Sequence, residues 1–149
     1  MKLVVTGGRN YPDRELVFIV LDRIHKETPI SQLIHGACGW DRDKFNGPDK
    51  MTGADRWADE WANERGVPFH RMAARWSKLG GQGGPIRNGE MLDEKPDMVV
   101  AFPGGGGTWN CIRQARARGI IVEHAAREAR DARQALVHEM ATQHKGADK

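Results

Sequence analysis

Residues 98–108, MVVAFPGGGGT, decide the fold when they are read beside residues 2–10, KLVVTGGRN. Each is a short apolar run that ends in glycines and is followed by a helical pattern. That order describes a buried strand, a tight turn and a helix start. Working outward, Asn10 can cap a helix whose first turn holds Pro12, Asp13 and Glu15, and Leu16, Val17, Val20, Leu21 and Ile24 keep one face of it. Ser31 to His35 reads as a second strand, stopped by Gly36. Residues 38–51, CGWDRDKFNGPDKM, have no period and are rich in charge, Gly and Pro, which marks an inserted surface loop. Thr52 opens a helix with Asp55 three residues on, an acidic capping box, and Ala54, Trp57, Ala58, Trp61 and Ala62 form its apolar stripe. Val67 to His70 is a third strand. A glycine-rich loop over 73–84 and a helix from about Pro85 to Asp93 precede Met98. After Thr108 come a helix to about Arg118 and a strand at Ile120 to Val122.

Strands alternating with helices predict an α/β fold, a parallel sheet covered on both faces. Right-handed crossovers favour a Rossmann-like, doubly wound sheet of about five strands in the order 3-2-1-4-5. The direction of growth then reverses between the first and fourth strands, and ligands of open α/β sheets bind at that reversal. Both glycine loops, Gly7-Gly8-Arg9 and Pro103 to Thr108, leave the sheet there. The domain is expected to span 1–123, followed by a charged helical tail over 124–149 with a thin apolar side at Ala129, Ala132, Leu136 and Met140.

The chain has 149 residues, 39% hydrophobic and 29% charged, which suits one domain with its own core. No apolar run approaches the roughly 20 residues that span a bilayer. The opening MKLVVTGGRNYP is too short in apolar residues for a signal-peptide core, so a cytoplasmic location is expected. Cys38 and Cys111 fit no metal or redox spacing. Residues 1–112 carry 15 basic and 15 acidic side chains, and the net charge of +3 comes wholly from 113–149. A nucleic-acid binder normally carries a basic stripe through its body, so such a partner is disfavoured. Asp41, Asp43 and Asp49 lack the EF-hand spacing and its closing Glu, so no metal is expected.

A glycine loop at a helix start aims several backbone N–H groups at one point, and the helix dipole adds partial positive charge. Phosphate is the usual guest. Thr108 adds a hydroxyl, and Arg9 a guanidinium suited to bidentate contact. No Gly-Lys-Ser/Thr follows the loop, which excludes a Walker site, and no GxGxxG follows the first strand, which disfavours a classical NAD site. The expectation is a mononucleotide or nucleotide-derived ligand, with no bound cofactor.

The ordered set VVTGGRNY, HGA, TGADRWADEWANERGVP, GPIRNGEML and PDMVVAFPGGGGTWNCIRQARARGI, over roughly residues 2–122, resembles the SLOG superfamily. More narrowly it resembles the YspA/YpsA-related branch of small bacterial and phage proteins. The resemblance implies a Rossmann-like domain that binds nucleotides or their derivatives at the glycine loops. Relatives include the LOG phosphoribohydrolases, the DNA-processing protein DprA and sensor domains for NAD-derived signals, and they often form homo-oligomers. A homodimer is therefore one expectation. The LOG enzymes carry PGGxGTxxE with an Arg four residues before a Met. Here Pro103, Gly104, Gly105, Gly107 and Thr108 match, with Gly106 at the variable place, and Arg87 stands four residues before Met91. The Glu does not match: Cys111 occupies its position. That departure counts against hydrolysis, because cleaving an N-glycosidic bond uses a carboxylate.

Three functions follow. The first is binding of a nucleotide or nucleotide-derived ligand, a mononucleotide, ADP-ribose or an NAD-derived molecule, as a sensor or sequestering module. The second is an N-glycosidase of the LOG type, with Arg87 orienting the phosphate or sugar and Asp55 or Glu90 supplying the carboxylate. The third is single-stranded DNA binding. Each residue also has a plainer role. Arg87 can bridge to Asp93 or Asp97, Asn88 can cap a turn rather than bond a ribose hydroxyl, and Asp55 can cap its helix. Glu90 can be solvated surface. His35, at a strand end on the ligand edge, can be a structural imidazole rather than a base contact. Cys111 can be a packed side chain rather than a nucleophile. Trp109 can stack on a base, and Trp76 or Trp40 can cover the crevice.

Overall fold

A computed structural model describes residues 1–125, 134 and 137–141. Five parallel strands, β1 (Lys2–Thr6), β2 (Gln32–His35), β3 (Phe69–Arg71), β4 (Met98–Ala101) and β5 (Ile121–His124), stand in the order β3-β2-β1-β4-β5. This is the doubly wound order that the strand–helix alternation predicts. The helices are α1 (Arg14–Glu27), α2 (Gly53–Arg65), α3 (Trp76–Leu79), α4 (Gly83–Asp93) and α5 (Gly106–Ala117).

Period-two alternation in the central strands divides the core. Leu3 and Val5 of β1 and Val100 of β4 face α1 and α2, where Leu21, Ile24, Ala58 and Trp61 are buried. Val4, Ile34 and Val99 face α4 and α5 and meet Met91, Leu92, Cys111 and Ala115. Both faces of β1 are therefore buried, which is why it reads as a continuous apolar run.

Several boundaries differ from the sequence reading. Asp13, not Asn10, caps α1, accepting from the Leu16 N–H at 3.1 Å. Thr52 occupies the N-cap of α2, but its side chain makes no capping bond, and Asp55 accepts from the Cys38 N–H at 3.0 Å instead. The stretch over 73–84 is not a plain loop. It holds α3, a 3-10 turn at Gly80–Gln82 and the first turn of α4. The Trp76 ring lies against Gly84, where an added Cβ would stand 2.9 Å from the indole, so glycine is what lets the two helices touch. The loop over 38–51 contains a 3-10 turn at Pro48–Lys50. Of the tail, 134 and 137–141 are helical and exposed, Met140 among them, whereas Ala129, Ala132 and Leu136 lie outside the described residues.

Candidate functional site

The two loops at the β1/β4 reversal are joined directly. The Gly8 N–H donates to the Pro103 carbonyl at 2.9 Å, and the Phe102 N–H to the Thr6 carbonyl at 2.9 Å. A Cβ on Gly8 would stand 2.8 Å from the Pro103 carbonyl oxygen, so the approach requires glycine. Gly53, at the start of α2, has a positive φ of 66° and packs on the backbone of Gly8 and Arg9. The Gly8 carbonyl accepts from both Tyr11 and Ala54 at 3.2 Å. Three chain segments are thus locked around one glycine pair.

They enclose a cleft of about 510 Å³. Its floor is Val5, Thr6, Gly7 and Gly8, one wall is Gly105 to Thr108 with Asn110 and Arg113 of α5, and the opposite wall comes from α4 with Arg87, Asn88 and Met91. The first turns of α2, α4 and α5 all open on it, through Asp55, Gly84 and Gly106 respectively. The first N–H groups of an α-helix have no partner within the helix, and at the start of α5 Gly106, Gly107 and Thr108 line the cleft with theirs. The Ala54 N–H of α2, by contrast, is taken by the Gly8 carbonyl, the Gly83 N–H of α4 by the Gly80 carbonyl, and Pro85 has none. Arg9, Arg87 and Arg113 add guanidinium groups, and among the described residues none of the three is paired with a carboxylate.

Arg87 is held from two sides. Its Nη1 donates to the Gly36 carbonyl and its Nε to Asn88 Oδ1 at 3.1 Å. Asn88 in turn donates through Nδ2 to the Gly107 carbonyl at 3.1 Å and to Asn110 Oδ1 at 3.2 Å, which ties α4 to the glycine loop. The plainer reading of Arg87, a bridge to Asp93 or Asp97, does not occur: Arg118 bonds Asp93 at 2.7 Å, and Asp97 accepts from the Lys2 N–H. Asp55 is buried at 5% exposure and lines the cleft.

Other expected site residues stand elsewhere. His35 is fully buried behind the cleft. Its Nδ1 accepts from the Ala37 N–H at 3.0 Å, so Nε2 carries the hydrogen and donates to Asp59 Oδ2 at 2.7 Å. With both nitrogens engaged, it has no face for a ligand. Burial alone would raise the Asp59 carboxyl, but hydrogen bonds from His35 and Arg71 outweigh it and lower the pKa to about 2. Glu90 lies outside the cleft, in a neighbouring hollow with Trp40, Arg42 and His70. Pro103 and Gly104 face away, toward Trp109 and His124, and serve the site by holding Gly8. Trp109 packs on His124 with ring centroids 6.1 Å apart and does not line the cleft, whereas Trp76 does.

Cys111 is fully buried beside the cleft floor. Burial pushes its thiol up to about 11, despite a hydrogen bond with Thr6, so it is neutral at pH 7 and cannot replace the negative charge of a glutamate. Arg87 and Asp55 are both near enough to act on that thiol electrostatically. Sequence reasoning passed over Asn110 and Arg113. Their signal is helical spacing from Gly106, which puts all three on one face of α5.

Two comparisons bear on this geometry. The family model described as YspA, cpYpsA-related SLOG matches residues 1–44, which include β1 and the Gly7-Gly8 turn. The Gene 61 protein of Mycobacterium phage D29 is 32% identical over 131 residues, covering 81% of this chain and 93% of the phage protein.

The chain belongs to the YspA, cpYpsA-related SLOG family.

Among solved structures, a phosphoribosylglycinamide formyltransferase from Coxiella burnetii aligns with this SLOG chain at a TM-score of 0.34 and 9% identity, over 67% of this chain and 40% of that one. The SLOG chain therefore spans about two fifths of that enzyme's length. No helix among the described residues is long and apolar enough to cross a membrane.

Proposed function

We propose that this SLOG protein binds a nucleotide or nucleotide-derived small molecule, with its phosphate at the start of α5. The observation that carries the reading is the cleft's charge. Three guanidinium groups without carboxylate partners among the described residues share it with the N-terminus of α5, at the reversal point of the sheet. A phosphate at Gly106 and Gly107 would receive backbone N–H donors, the Thr108 hydroxyl and the Arg113 guanidinium. The balanced charge of residues 1–112 favours a small molecule over a nucleic-acid strand.

Thermal-shift and calorimetric titration with adenosine 5′-monophosphate test this reading, with free adenine as the control. The nucleotide should raise the melting temperature and the base should not. Gly106→Asp places a carboxylate where the phosphate would sit, in open space where a side chain meets no neighbour, so it should remove the shift without unfolding the protein. An unchanged shift in that variant would move the ligand elsewhere.

One observation favours a second reading, N-glycosidic hydrolysis. Asp55 is a buried carboxylate that lines the cleft, close to the place where LOG relatives carry their glutamate. Chromatography of the incubated nucleotide decides: base release lost in Asp55→Asn would support catalysis, and no release by the parent protein retires it.

A further inference from the structure

The cleft does not end at Arg9 and Trp76. Both side chains also line a second basin of about 490 Å³, closed on its far side by the loop over 38–51 through Gly39, Asp41, Lys44, Asn46 and Lys50. We propose that this basin is a second anion subsite, so that the ligand is a nucleotide carrying two separated phosphate groups, one at α5 and one beyond Trp76. The inference rests on the reading of the first cleft given above and specifies its ligand class.

Three observations on the basin lead there. Its cations are Arg9, Lys44 and Lys50, and none of them has an ion pair or side-chain hydrogen bond among the described residues. Its one carboxylate, Asp41, is already engaged. One oxygen accepts from the Asp43 N–H at 3.0 Å, and the other from the Ser77 N–H and hydroxyl at 3.1 and 2.5 Å. Asp41 therefore shapes the loop and ties it to α3; it also attracts Lys44 electrostatically, without a direct ion pair between them. The third observation is the common wall. Trp76 is half-buried, held against Gly84, and presents an aromatic surface between two positively charged hollows. An aromatic wall suits a base or sugar, and the cations on either side suit the anionic groups it connects. Each hollow alone is within the usual range of a small-ligand site, about 300–1,000 Å³. A mononucleotide would leave the second one unused.

The test compares adenosine 5′-monophosphate, adenosine 3′,5′-bisphosphate and adenosine 2′,5′-bisphosphate by calorimetry, on the full chain and on K44A/K50A. Both lysines are exposed, so the double variant should melt at the parent temperature. At least one two-phosphate compound should bind roughly tenfold tighter than the monophosphate, as expected for two or three partly exposed ion pairs. The identity of that compound distinguishes a second phosphate on the ribose 3′ position from one on the 2′ position. K44A/K50A should erase the advantage and leave monophosphate affinity as it was. Equal affinity for all three compounds in the parent overturns the second subsite while leaving the first intact. So does an equal loss for every compound in the variant. Failure of all three to bind overturns the reading of the first cleft as well. Affinity for single-stranded oligonucleotides that keeps rising with length would replace the two-phosphate ligand with a strand.

Discussion

Buried His35 and Asp59, with the partly exposed Arg71, stabilise the protein through one proton. Arg71 reaches Asp59 with Nε at 2.8 Å and Nη2 at 3.1 Å, while His35 holds the same carboxylate from inside the core. The Asp59 pKa lies at about 2 when folded, against 3.8 ordinarily. A carboxyl depressed on folding stabilises above its unfolded pKa, and that contribution disappears as pH falls from about 4 toward 2. The shift corresponds to about 2 kcal/mol. Asp59→Asn should accordingly lower the urea midpoint at pH 6 and differ little from the parent near pH 2. A constant difference across that range would show that Asp59 acts by shape rather than charge. The same residues mark where the sequence was hardest to read. A histidine at a strand end on the ligand edge is ambiguous by position alone, and its partner on α2 looks like ordinary helix surface. Only the crossing of α2 over β2 closes the pair.

At the scale of elements, the site depends on how closely two turns approach. The Gly8 N–H to Pro103 carbonyl bond and the space that a Cβ at Gly8 would need make one prediction. Gly8→Ala should push the β1 and β4 loops apart, weaken nucleotide binding at least tenfold, and destabilise by about 1–3 kcal/mol. Binding calorimetry and urea unfolding on the same variant measure the two effects, and parent-like affinity would mean that the turns need not touch. The edge strands β3 and β5 have no buried residue and stand one or two residues later than their apolar runs suggest. The inner strands β1, β2 and β4 and helix α5 were legible because buried parallel strands are continuous apolar runs and glycine loops announce helix starts. The beginning of α4 was not. Gly80 to Gly84 has the composition of a loop, yet Gly83 and Gly84 are helical, and the Trp76 ring occupies the space a side chain at Gly84 would need, which is why glycine stands in this helix. Asp55 was misplaced for a related reason. Its spacing from Thr52 fits a capping box, but the Cys38 N–H, brought in by the 38–51 loop, takes the carboxylate first.

Across the whole molecule, the cleft collects residues from β1 early in the chain and α5 late in it, and Arg87 between them reaches back to the loop after β2. A ligand that touches all three should stabilise the domain as a unit. At a hundred times its dissociation constant it should add about 2.7 kcal/mol, which for a chain of this size raises the melting temperature by roughly 5–10 °C. Differential scanning calorimetry should record one transition that moves as a whole. A second transition that stays in place would mean that part of the fold is indifferent to occupancy.

The hydrogen bond between Gly8 and Pro103 joins an early stretch of the chain to a late one, so the Gly8 N–H gains this acceptor only once the loop after the fourth strand is in place. Binding at the proposed site should therefore require both turns. A ribosome-bound product stalled before Pro103 would have a pre-formed first turn and no receptor, and fragments that split the domain between those two turns should regain affinity only when mixed.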